Sequence, residues 1–128
     1  MKTIKLKTPK EGFINISYDV KNVVKECGLN EGICNVFIPH TTAGITINEN
    51  ADPDVVVDMI DALDKIVPKL NYRHYEGNSI AHVKASLMGS SVNIPISEGE
   101  LCLGQWQGIY FCEFDGPRTR SVYINIIG

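Results

Sequence analysis

The chain contains no Cys-x-x-C pair, no run of paired aspartates, no apolar stretch long enough to cross a bilayer and no block of like charge. Each absence removes a class of protein. Without a Cys-x-x-C motif, the four cysteines, Cys27, Cys34, Cys102 and Cys112, are expected to be reduced, buried thiols rather than disulfides or a zinc ribbon. The N-terminal MKTIKLKTPK alternates lysine with apolar residues, so it reads as a strand rather than a secretory signal, and a cytoplasmic protein is expected. A formal net charge of -3 with both signs mixed along the chain gives no electrostatic reason for nucleic acid or an anionic membrane to be the main partner. No Pro/Ser/Gly-rich linker, low-complexity tract or internal repeat divides the sequence, so residues 1–128 read as one domain.

What is present suits a soluble globular chain. With 44% apolar and 21% charged residues over 128 positions, the chain can remove roughly two-thirds of its unfolded surface from water and build one core. Two short strands are expected around Ile4–Leu6 and Phe13–Ile16, then a helix capped by Asp19 and ended by Gly28. Ile33–Ile38 and Ala43–Asn48 are β-rich runs on either side of Pro39-His40-Thr41-Thr42. Asp52-Pro53 marks a helix start, and Val56, Met59, Ile60, Leu63, Ile66 and Val67 recur at helical spacing behind it, with Asp54, Asp58 and Asp61 on a solvated face. Asn78 or Ser79 can start a shorter helix that ends at Gly89. The remainder is β: Val92, Ile94 and Ile96 alternate with polar positions, and Leu101–Phe114 is apolar on both parities, as in a strand covered on two sides. Strands joined by tight turns outnumber crossover helices, so the expected class is α+β with mostly antiparallel strands and two to three helices.

Several residues exceed what packing requires. A loop around Gly116-Pro117 is expected to form a hairpin that sets Glu113 opposite Arg120. That contact is either an ion pair satisfying a buried carboxylate or part of an anion site with Arg118 and Arg120. His40, His74 and His82 show no ligand spacing among themselves. His82 and Ser86 share a face of the short helix, which leads into Gly89-Ser90-Ser91, where N–H groups and hydroxyls can meet phosphate oxygens or merely cap. Asn48 and Asn50 can tie off a turn, yet the stretch from His40 through Thr41 and Thr42 to Asn50 holds more donors and acceptors than a turn needs. Trp106, bracketed by Gly104 and Gly108, either packs or stacks on a heteroaromatic ligand while Gln107 reads its edge.

Three stretches, HTTAGITINENADPDV, NSIAHVKASLMGSSVNIPI and LGQWQGIYFCEFDGPRTR, together resemble the YjbQ-like family, whose members carry the label secondary thiamine-phosphate synthase; the similarity covers nearly the whole chain. The resemblance implies two packed β-sheets, a homotrimer, and a small-molecule substrate bound near subunit boundaries. It implies an activity: joining a hydroxymethylpyrimidine diphosphate to a thiazole phosphate with release of pyrophosphate. Its pattern falls on His40, Thr41, Thr42, Asn48, Glu49, Asn50, His74, His82, Ser86, Trp106, Gln107, Glu113 and Arg120, and residue type adds Arg118 and suggests the roles. His40, Glu49, His82 and Gln107 are the expected catalytic groups; Thr41, Thr42, Asn48, Asn50, Ser86, Trp106, Arg118 and Arg120 are expected to bind substrate; His40, His74 and His82 are expected to hold a divalent metal such as zinc or magnesium. In that scheme Glu49 is the base, Trp106 and Gln107 orient the ring, and Arg118, Arg120 or Lys84 neutralises a leaving diphosphate. Gln105 stands where the family pattern has threonine. Two other classes stay open: a metal-dependent hydrolase of a small phosphorylated or heterocyclic substrate, and a non-catalytic trimer that binds a metabolite.

Overall fold

The computed structural model describes residues 1–128, and their fold is α+β. The elements are β1 (Lys2–Lys7), β2 (Gly12–Asn15), α1 (Ser17–Cys27), β3 (Gly32–Phe37), β4 (Ala43–Glu49), α2 (Pro53–Ile66), α3 (Ser79–Met88), β5 (Ser91–Ser97), β6 (Glu100–Leu101), β7 (Gln107–Glu113) and β8 (Thr119–Ile127). They form a five-stranded sheet in the order β1-β8-β3-β5-β6 and a three-stranded sheet in the order β2-β7-β4. Every strand pairing is antiparallel. No helix is long and apolar enough to cross a membrane.

The apolar alternation assigns each strand face. Cys34 and Val36 of β3, Ile94 and Ile96 of β5, and Val122 and Ile124 of β8 point into the space between the sheets, where α1 adds Val20 and Val24. β7 explains its two-sided apolar character by serving two layers. Ile109 and Phe111 join the core between the sheets, while Tyr110, Cys112 and Phe114 join a second cluster with Leu63 of α2 and Ala81 and Ala85 of α3. Phe111 is fully buried, so its truncation to alanine is expected to cost about 3–5 kcal/mol.

The α2 start behaves as its sequence demands: the Asp52 carboxylate accepts the Asp54 N–H at 2.9 Å with Pro53 in the first turn. Four other expectations are corrected. The α1 start lies before Asp19, because Asn15 Oδ1 accepts the Ser17 N–H at 3.0 Å and Ser17 Oγ accepts the Ile109 N–H at 2.8 Å, fastening the helix to β7. The strand expected over Leu101–Phe114 is broken between β6 and β7, and the Gly104-Gln105-Trp106 turn leaves Trp106 57% exposed. Ile66 is exposed although Leu63 and Val67, on the same apolar stripe, are buried. All four cysteines are free, but only Cys34 and Cys112 are buried; Cys27 and Cys102 lie at element ends and reach solvent.

A fifth correction matters most for the site. β7 and β8 are not a hairpin; they lie in different sheets. Residues 114–118 carry the chain from one layer to the other, and the Phe114 N–H still donates to Thr42 O at 3.2 Å. Glu113 and Arg120 therefore meet across the sandwich rather than along a ladder.

Candidate functional site

β3 ends where Pro39 follows Ile38, since proline has no N–H to continue a ladder. The β3–β8 register stops at Phe37 opposite Tyr123, which leaves the Ser121 N–H of β8 without a strand partner on that side. His40 supplies one: its Nε2 accepts the Ser121 N–H at 2.9 Å. The imidazole thus stands at the end of a sheet as a substitute for the missing strand. Burial first, and then the Arg120 guanidinium, hold His40 below the ordinary histidine range.

Directly beneath lies the ion pair. Arg120 Nε donates to Glu113 Oε1 at 2.7 Å and Nη2 to Glu113 Oε2 at 2.5 Å, while Nη2 also reaches the Thr42 hydroxyl at 2.8 Å. The Thr8 hydroxyl donates to Glu113 Oε1 at 2.6 Å and accepts the Arg118 N–H at 3.1 Å, and the Asp115 N–H donates to Glu113 Oε2 at 3.1 Å. Burial pushes the Glu113 carboxyl upward, but the bonds from Arg120, Thr8 and the Asp115 N–H outweigh it, and the group lies below the usual carboxylate range. Asp115 is lowered by the Asn78 amide, which donates to it at 2.9 Å, and by Arg118. Arg118 closes on Asp115 through both the backbone carbonyl and the carboxylate, at 2.7 and 3.0 Å.

Of these groups His40, Thr42, Asn78, Arg118 and Arg120 border one cleft of about 710 Å³, whose lining also includes Thr41, His74 and His82. The three imidazoles, far apart in sequence, share a cavity. His74 and His82 meet edge to face, with ring centroids 5.6 Å apart, and His74 Nε2 lies 3.7 Å from Glu76. Ser86 lines an adjoining hollow of about 450 Å³ that has His40, Thr41, His82 and Ser90 in common with the first. Arg120 Nη1 and His40 Nδ1 make no hydrogen bond within the chain, and neither is sealed from solvent, since the one buried side-chain polar atom without a partner is Asn78 Oδ1.

The remaining candidates lie elsewhere. Asn48, Glu49, Trp106 and Gln107 line a separate hollow of about 270 Å³ at the far end of β4. Seven residues of extended chain, at about 3.4 Å each, put roughly 20 Å between the two ends of that strand. In one chain Glu49 is therefore not placed to act as a base beside His40. Asn48 Oδ1 accepts the Glu49 N–H at 2.7 Å, Glu49 Oε2 accepts the Ala51 N–H at 3.0 Å and the Asn50 amide donates to Gln107 O at 3.1 Å, so the Asn-Glu-Asn stretch also ties off its own turn. Gln107 Oε1 accepts the Gly104 N–H at 2.8 Å. Lys84, a candidate for neutralising a diphosphate, is buried against Asp64 and Glu11 with the Phe114 ring 5.9 Å away, and does not line the cleft.

The donors of one chain do not fit a three-imidazole metal centre. No three His, Cys, Asp or Glu side chains come together in a metal-holding group, and the lone pair of neutral His40 is already committed to the Ser121 N–H. Thr8, Glu76 and Asn78 belong to the site and were not singled out as binding groups from sequence. Thr8 carried no signal, being one threonine beside a proline, whereas Glu76 and Asn78 follow His74 closely enough to be read as one polar loop.

A model of the family described as UPF0047 protein YjbQ-like matches residues 2–128. The UPF0047 protein YugU of Bacillus subtilis is 50% identical over 132 residues, covering 100% of this chain and 99% of its own. A UPF0047 protein of Methanocaldococcus jannaschii is 50% identical over 125 residues, covering 96% of this chain and 91% of its own. The crystal structure of a YjbQ/UPF0047 family protein from Clostridium acetobutylicum superposes with a TM-score of 0.96 at 58% identity, over 99% of this chain and 100% of that one. A conserved protein of Thermus thermophilus superposes with a TM-score of 0.92 at 38% identity, over 99% and 100% of the two chains.

Proposed function

The chain belongs to the YjbQ-like UPF0047 family, and from that premise we propose that its cleft binds a small phosphorylated metabolite and supports a low-turnover transfer of the thiamine-phosphate synthase type. One observation carries this reading: Arg120 is clamped by Glu113 and Thr42 so that its remaining nitrogen, Nη1, is left for a ligand in a cleft that also holds Arg118 and three imidazoles. A guanidinium fixed in this way loses little freedom when it meets a phosphate oxygen. In the transfer, a thiazole ring nitrogen attacks the methylene that bears the diphosphate; a C–N bond forms, the C–O bond breaks, and diphosphate leaves with the electron pair. Arg120 and Arg118 then face the charge that grows on the leaving oxygens, where stabilisation speeds such a step.

Glu49, Trp106 and Gln107 reach this ligand only if a second copy brings them, so a homotrimer is part of the proposal. It is supported by apolar side chains left at the surface, among them Val57, Ile66 and Leu70 on and just after α2. Light scattering should give three times 14.2 kDa. A monomer at working concentration would remove the trimer from the reading. The free state of all four thiols fits the cytoplasmic setting expected for such an enzyme.

The test is a pyrophosphate-release assay. Release that requires both substrates supports the transfer, and its loss in Arg120→Ala ties it to the cleft. Phosphate release from one substrate and water supports hydrolysis instead, a second reading favoured by the edge-to-face His74–His82 pair, which sets two imidazoles side by side in the cleft. Saturable binding with no turnover reduces the protein to a metabolite carrier.

A further inference from the structure

His40 has two ring nitrogens, and the fold has already spent one of them. The Ser121 N–H lies in the plane of the five-stranded sheet, fixed by the pairing of β8 with β1, in which Ser121 sits opposite Lys5 and the Lys5 ammonium bonds Ser121 Oγ at 2.8 Å. That N–H donates to Nε2 at 2.9 Å, so Nε2 holds a lone pair and no proton. A neutral imidazole then carries its one proton on Nδ1. Nδ1 has no partner within the chain, is not sealed from solvent, and belongs to a residue that lines both the main cleft and the adjoining hollow.

We propose that His40 is a neutral hydrogen-bond donor locked by the Ser121 N–H, that it presents Nδ1–H to a phosphoryl or carbonyl oxygen of the ligand, and that it is neither a metal ligand nor a general base. This rests on the anion-binding reading above and narrows it. A metal at Nδ1 would need the other tautomer, which places a second N–H against Ser121 N–H and orphans that backbone donor. A base at Nδ1 faces the same obstacle, and a base at Nε2 must first give up the sheet bond. Arg120 Nη1 borders the same cleft, so the two supply donors of different kind, one cationic and one neutral, and an oxygen-rich group with no proton of its own at that position is the ligand class they select.

The test is long-range nitrogen–proton NMR on the intact protein at neutral pH. His40 is expected as the Nδ1–H tautomer, unmoved by equimolar Zn²⁺, with its Nδ1–H resonance shifting as inorganic pyrophosphate is added. An Nε2–H tautomer, or a zinc-induced shift of the His40 ring, overturns the proposal. Two variants give an independent readout. His40→Gln can keep an acceptor for the Ser121 N–H while moving its donor, the amide NH2, away from the Nδ1 position, so it should fold and bind pyrophosphate about tenfold more weakly, as for one lost bond to a charged group. Equal affinity in His40→Gln and the parent overturns the donor role. If the parent binds no pyrophosphate while its tautomer is Nδ1–H and zinc-insensitive, the phosphorylated-ligand reading and the donor role fall together, and the locked tautomer alone stands.

Discussion

Glu113 and Arg120 belong to different sheets, and their side chains close a two-pronged bond between the layers at 2.7 and 2.5 Å. Both are among the most buried residues, so water can replace a lost partner only in part. The pair is an internal clamp as well as the mount for Arg120.

Glu113→Gln should therefore destabilise the fold by about 3–5 kcal/mol, the cost of stranding a buried guanidinium. Urea unfolding measures it. A loss under about 1 kcal/mol would mean that Thr42 and water hold Arg120 without the carboxylate. The acid limb offers a second check. Because the folded-state Glu113 and Asp115 carboxyls lie below their usual range, their contribution is complete above the unfolded values near 4 and is lost as pH falls through the folded ones. The variant should lose part of that slope.

His40 acts in the same direction at higher pH. Its folded-state affinity for a proton is reduced, by burial and by Arg120, against weaker opposition from Glu113. The unfolded chain thus binds the proton more readily, and stability should decline as pH drops below the ordinary histidine value of about 6.5. Thermal melts across this window should show a shallower decline in His40→Gln than in the parent.

Gly44 lets α3 lie on β4. A Cβ there would sit 2.8 Å from Gly89 O and 2.9 Å from Met88 Cβ, at the point where the Ile45 N–H donates to Gly89 O at 3.1 Å. Gly44→Ala should lower stability by about 1–3 kcal/mol and displace the end of α3. A melting temperature equal to the parent's would show that the helix end yields freely.

Thiol labelling separates the cysteines. Cys27 and Cys102 should react with a maleimide under native conditions, while Cys34, pushed up to about 11 by burial and by Cys27, and Cys112, raised further by burial alone, should react only after unfolding. Mass spectrometry should count two fast adducts. Four would show that the sheets open readily.

Much of this was legible in the sequence, for identifiable reasons. Asp52-Pro53 specifies its helix start locally, and β5 declares its buried face by strict alternation. The partnership of Glu113 with Arg120 was expected from a hairpin that does not exist; the contact holds because a carboxylate on a buried parity must find a cation, whatever the route. The convergence of His40, His74 and His82 followed from the resemblance and from no spacing rule, since long-range proximity leaves no local trace. The separation of Glu49 and Trp106 from the histidines was missed because adjacency in a motif hides the length of the strand between. The apolar run from Leu101 to Phe114 reads as one bulged strand through Trp106, yet Gly104 and the Gln107 amide turn the chain outward there.

The end of β3 at Pro39 has a wider consequence. His40, Thr42 and Arg120 are anchored in the sandwich, but His74 and Glu76 ride on a connection between α2 and α3 that is neither helix nor strand. One wall of the cleft is thus set by the scaffold, and the opposite wall is written in a segment that no sheet pairing holds to a fixed length. Diversification of ligand size among such chains should be concentrated in residues 68–78, while the recognition of oxygen atoms stays constant.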